Sequence, residues 1–73
     1  MLKVKIYGAG SIGCHLAYSC RCAGMDVCVV DVDEAALTRM KKDVYPSRYG
    51  SWDPRIILSR EDDPGHDGDL VII

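Results

Sequence analysis

The sequence predicts an α/β chain, the β-α-β-α-β-β opening of a doubly wound, mostly parallel sheet. Three observations carry this. Apolar, β-branched runs recur at residues 4–7, 27–30, 56–58 and 70–73. The runs at 27–30 and 70–73 are nearly continuous rather than alternating, which marks strands covered on both faces. Between the first two runs the apolar spacing changes to helical three- and four-residue steps.

Each element has its own local reason. Val4, Lys5, Ile6 and Tyr7 form a first strand that ends at Gly8. Ile12, Leu16, Ala17, Cys20 and Ala23 recur on one face of a helix over residues 11–23, which Gly24 stops. Residues 27–30 form the second strand. A second helix is expected from about Asp33 to Asp43, with Asp33 as its cap and Leu37, Met40 and Val44 on one face. Arg39, Lys41 and Lys42 would lie at its negative end, and Pro46 would block continuation. Residues 45–54, with two prolines, Gly50 and three aromatics, read as an ordered loop packed over the sheet edge. Ile56, Ile57 and Leu58 form a third strand; residues 60–68 are too broken for a helix, and residues 70–73 form a further buried-type strand. The expected order is 3-2-1-4, with right-handed crossovers.

Composition narrows the function. A chain of 73 residues supports one small core at most. A net charge of −2 argues against nucleic acid as a partner, because phosphate binding rests on clustered Lys and Arg. No apolar run reaches the roughly 18–20 residues of a membrane span, and the N-terminus lacks the apolar stretch of a signal peptide. A cytoplasmic protein is expected. Of the four cysteines, Cys20 and Cys22 point about 200° apart on a helix, so reduced thiols are expected rather than disulfides or a metal site.

Gly8-Ala9-Gly10-Ser11-Ile12-Gly13 matches G-x-G-x-x-G. The hexapeptide alone is a weak signal, but here it leaves a strand, opens a helix and precedes an acid, Asp31, by about twenty residues. Gly8 permits the tight turn, Gly10 lets a pyrophosphate approach the backbone, and Gly13 lets the helix lie against the strand. The N–H groups around Ser11, Ile12 and Gly13 face the phosphate charge with the helix dipole behind them. Asp31 can accept hydrogen bonds from both adenosine ribose hydroxyls and would repel a 2′-phosphate, which favours NAD over NADP. The pattern defines a dinucleotide-binding Rossmann domain. His15 is expected to face solvent. His66 has no visible partner, and Arg60, Glu61, Asp62 and Asp63 read as a solvated run; none of them carries chemistry.

The chain resembles the N-terminal part of the glucose–fructose oxidoreductase/inositol dehydrogenase family. Residues 4–31 carry the generic part of that likeness. Tyr45-Pro46-Ser47-Arg48-Tyr49-Gly50-Ser51-Trp52 and the closing Asp69-Leu70-Val71-Ile72-Ile73 carry the particular part. The resemblance implies hydride transfer between a nicotinamide and a hydroxyl-bearing carbon, often of a sugar or polyol. It also implies a catalytic Lys in a Glu-Lys-Pro motif and a second domain, neither of which residues 1–73 contain. The chain is therefore expected to be an N-terminal fragment, inactive by itself, with no catalytic residue. The alternative is a nucleotide-sensing module like the regulator of potassium conductance domain, which shares the strand–GxGxxG–helix–strand–Asp pattern; a truncated product without activity is a third. Because the last strand would lack an outer neighbour, pairing of two chains through that edge is also expected.

Overall fold

The computed structural model describes residues 2–60 and 68–72. The elements are β1 (Lys3–Tyr7), α1 (Ser11–Cys22), β2 (Asp26–Val30), α2 (Glu34–Arg39), a π-helical turn (Met40–Val44), α3 (Tyr45–Tyr49), β3 (Ile57–Ser59) and β4 (Leu70–Ile72). The four strands form one sheet in the order β3-β2-β1-β4. Every neighbouring pair is parallel, with Val4 beside both Val27 and Leu70, and Cys28 beside Ile57. The predicted α/β class, strand order and incomplete Rossmann architecture therefore hold.

The core lies between one sheet face and the helices. Val4 and Ile6 of β1, Val27 and Val29 of β2, and Cys14 and Ala17 of α1 are all buried there, joined by Leu37, Met40, Tyr45 and Ile56. The buried stripe of α1 is Gly13, Cys14 and Ala17, rotated from the stripe that hydrophobic spacing predicts. Ile12 is 79% exposed, and Ala23 is exposed as well. Close approach is the reason: a Cβ on Gly13 would collide with the carbonyl oxygen of Gly8, so only small residues fit where α1 meets β1. The helix closes as expected. Gly24 has φ +85°, and the amides of Gly24 and Met25 donate to the carbonyls of Arg21 and Cys20, a Schellman pairing.

The second helix departs most from expectation. The helical backbone does not stop before Pro46 but runs on to Tyr49. The π turn makes this possible. The Tyr45 amide donates to the Met40 carbonyl, five residues back, and the widened turn relieves the clash a proline ring makes with the preceding α-helical turn. Pro46 then occupies the first turn of α3, where an amide donor is not needed. Gly50, at φ +85°, ends the run. Arg39, Lys41 and Lys42 thus lie mid-run, and Arg48 occupies the last turn.

Residues 45–52 are accordingly not a loop over the sheet edge; they pack on α1. Tyr49 stacks on Tyr18 with ring centroids 3.8 Å apart, and Tyr45 meets Tyr18, Tyr49 and Trp52 edge-on. Asp53 extends the attachment through Arg21 of α1 at 3.4 Å. The third strand sits one residue later than predicted, with Ile56 buried just before it. In β4, Leu70 and Val71 are 47% and 49% exposed rather than buried, because the strand lies at the sheet edge. The Asp69 side chain and amide clasp the Lys3 backbone at 3.0 and 2.8 Å and hold β4 against β1. Ile73, His66 and the acidic run after Arg60 lie outside the described residues.

Candidate functional site

The strand order reverses at β1, which has β2 on one side and β4 on the other. The crevice beyond the carboxyl ends of such strands is where ligands bind in open parallel sheets. Gly8, Gly10, Ser11, Ile12 and Gly13 line a cleft of about 460 Å³ there, with Ile6, Tyr7, Leu16 and Ile72.

The turn out of β1 needs Gly8, whose φ of +113° disfavours any side chain. Its amide donates to the Val30 carbonyl at 2.8 Å, which keeps the ends of β1 and β2 level. Gly10 is the N-cap of α1; no side chain caps the helix and no acid lies in its first turn. The first-turn amides of a helix have no acceptor within the helix, so Ser11, Ile12 and Gly13 present donors and the positive dipole end together. A Cβ on Gly10 would meet no atom within 4 Å, so this position borders open space into which an anion can approach. Gly10 and Gly13 thus have opposite surroundings, one open and one filled by backbone.

Asp31 follows β2 directly, and its amide donates to the Ser59 carbonyl of β3 at 3.0 Å. Its Oδ2 accepts from the Ala9 amide at 2.9 Å and its Oδ1 from the Asp33 amide at 2.9 Å. These bonds, Asp33 first and Ala9 second, lower its pKa and keep it ionised. The carboxylate therefore spans from the glycine loop to the start of α2. Each oxygen keeps a further lone pair for a ligand hydroxyl. Asp33 caps α2 as expected, accepting from the Ala35 amide at 3.0 Å.

Other sequence candidates fall elsewhere. His15 is exposed, with Nδ1 2.6 Å from the Tyr49 hydroxyl and so in the aromatic cluster on α1. None of the four cysteines is in a disulfide, with Cys14 and Cys28 buried and Cys22 exposed. Among the described residues no group of His, Cys, Asp or Glu could hold a metal ion, and no helix is long and apolar enough to cross a membrane. Sequence reading gave Ala9 no role of its own, although its amide is what Asp31 holds; the mate of a side-chain acceptor 22 residues away leaves no sequence signal. It also passed over Ile72, which only the β1–β4 pairing brings to the cleft.

This combination is that of a dinucleotide-binding Rossmann domain. Residues 3–53 match the family described as 3-hydroxyacyl-CoA dehydrogenase, NAD binding domain, and the chain belongs to that family. The match includes the aromatic segment, yet falls outside the glucose–fructose oxidoreductase/inositol dehydrogenase family that this segment resembles. The chain is also 46% identical over 37 residues to an NADH oxidase of Methanocaldococcus jannaschii; the alignment covers 51% of this chain and 8% of that protein. No solved structure matches the chain.

Proposed function

We propose that residues 1–73 are the cofactor-holding part of a larger cytoplasmic dehydrogenase that moves hydride between NAD and a hydroxyl-bearing carbon. Gly8, Gly10, Ser11, Ile12 and Gly13 take the pyrophosphate, and Asp31 takes the adenosine ribose. The observation that carries this is the Asp31 carboxylate, fixed by the Ala9 amide beside the open N-terminus of α1. Its charge favours NAD over NADP by repelling a 2′-phosphate.

Membership of a dehydrogenase family supports an enzyme over a potassium-conductance-type sensor. The family's description points to a 3-hydroxyacyl thioester as the hydroxyl compound, whereas a sugar or polyol rests on resemblance alone. None of the site residues supplies hydride chemistry, so this chain alone is inactive. The half-exposed Leu70 and Val71 on edge strand β4 support pairing with a further chain.

Calorimetric titration tests the reading. The chain is expected to bind NAD more tightly than NADP, and Asp31→Ala to weaken NAD by about tenfold or more through loss of charge-assisted hydrogen bonds. Asp31→Asn, which keeps an acceptor for the Ala9 amide, should narrow the NAD–NADP gap in the same direction. Equal or reversed preference in the unaltered chain overturns the assignment.

A further inference from the structure

Four of the five Tyr and Trp residues form one cluster where α3 and the segment after it meet α1. Trp52 meets Tyr45 at 4.8 Å, and Tyr45 meets Tyr49 at 5.4 Å and Tyr18 at 6.0 Å, all edge-on. The Tyr18 and Tyr49 rings lie 6° from parallel with centroids 3.8 Å apart. That is closer than the about 4.5–7 Å usual for neutral aromatic pairs, whose electron-rich faces repel. The three phenols differ in their surroundings. Burial pushes the Tyr45 pKa up, and the hydrogen bond with the Cys22 thiol pushes the Tyr18 pKa up, so both phenols keep their protons. The Tyr49 hydroxyl instead lies 2.6 Å from Nδ1 of His15, an imidazole base. This contact is exposed, where water competes for the bond and little stability is gained. Phenylalanine at position 49 would pack against Tyr18 equally well, so the ring contacts do not account for the hydroxyl.

Removing an electron from a phenol makes its O–H strongly acidic, so the oxidation is favoured where a base stands ready for the proton. We propose that Tyr49 and His15 form a one-electron redox site, where an oxidising radical of the peroxide-derived class converts Tyr49 to a tyrosyl radical. The Tyr49 O–H bond breaks, an N–H bond forms at Nδ1 of His15, and the oxidant is reduced by one electron. A neutral tyrosyl radical and an imidazolium remain. His15 enters this step as the neutral imidazole with its proton on Nε2, so that Nδ1 accepts from the Tyr49 hydroxyl. The parallel stack assists, because an electron-poor ring attracts the face of Tyr18 rather than repelling it. The contacts from Trp52 through Tyr45 lead an electron vacancy formed elsewhere in the cluster to the same phenol. A one-electron reductant of the ascorbate class then returns the electron, and His15 returns the proton.

The test uses the whole chain with flash-generated tris(bipyridine)ruthenium(III) as the one-electron oxidant. Radicals are followed by transient absorption and electron paramagnetic resonance. The unaltered chain should give a tyrosyl signal that forms more slowly in deuterium oxide than in water. His15→Gln should slow its formation by about a hundredfold, the low end of what a positioned proton acceptor contributes. Tyr49→Phe should slow it as much, whereas Tyr18→Phe should leave the rate nearly unchanged. These variants keep the packed rings and should show the circular dichroism of the unaltered chain, so a lost signal is not a lost fold. Formation as fast in His15→Gln or in Tyr49→Phe as in the unaltered chain overturns the proposal, and so does a signal that Tyr18→Phe abolishes.

Discussion

Replacing Gly13 by alanine separates two reasons for glycine in one short loop. A Cβ at Gly13 would strike the Gly8 carbonyl oxygen and sit 3.2 Å from its carbon. Both are backbone atoms, so no rotamer change relieves the contact and α1 must lift away from β1. Overpacking against backbone falls in the upper part of the usual range, about 2–3 kcal/mol; the better helix propensity of alanine returns up to ~1 kcal/mol. The net loss of about 1–2 kcal/mol is a large part of the ~4–11 kcal/mol expected for a chain of this length. It corresponds to a melting temperature lower by roughly 5–15 °C. Gly10→Ala provides the contrast. Its φ of −81° suits any residue, and a Cβ there meets nothing within 4 Å. That variant should melt near the unaltered chain, within the ~1 kcal/mol of a changed N-cap, yet bind NAD more weakly because the methyl group occupies the phosphate approach. Thermal unfolding followed by circular dichroism, paired with NAD titration, reads both. Equal melting temperatures for Gly13→Ala and the unaltered chain would refute the close-packing argument.

Two further outcomes follow from the aromatic segment and its anchor. Tyr45, 5% exposed and in contact with three other rings, should cost about 3–5 kcal/mol when cut to alanine, leaving a chain whose near-ultraviolet dichroism is largely lost. Asp53 is held at a pKa of about 2, from 3.8, by hydrogen bonds from Arg55 and the charges of Arg55 and Arg21. A carboxylate depressed on folding stabilises fully above its unfolded pKa, and this contribution disappears as pH falls through the folded value. Stability should therefore drop between about pH 4 and pH 2 in the unaltered chain, and Asp53→Asn should flatten that acid limb in urea titrations.

Where sequence reading failed, the cause was tertiary context acting on a local rule. Pro46 is a sound stop signal for an α-helix, but a π turn one residue earlier supplied a geometry the rule does not include. Ile12 fits a helical apolar stripe by spacing, yet the glycine–glycine approach of α1 to β1 decides which side of the helix is buried. The aromatic residues of segment 45–52 suggested a family through their order in the chain. Folded, they are a packing surface for Tyr18, a role that many sequences could fill.

The sequence by itself determined the parallel β-α-β opening, the strand order, the glycine loop and the acid at Asp31, because these depend on short-range periodicity and on conformations few residue types adopt. Only the tertiary structure decided that the Asp31 carboxylate clasps the Ala9 amide and that Ile72 joins the cleft. These facts depend on strand pairing between residues far apart in the chain. Hydrogen-bond geometry and burial at such distances are properties of the packed sheet, and no local pattern encodes them.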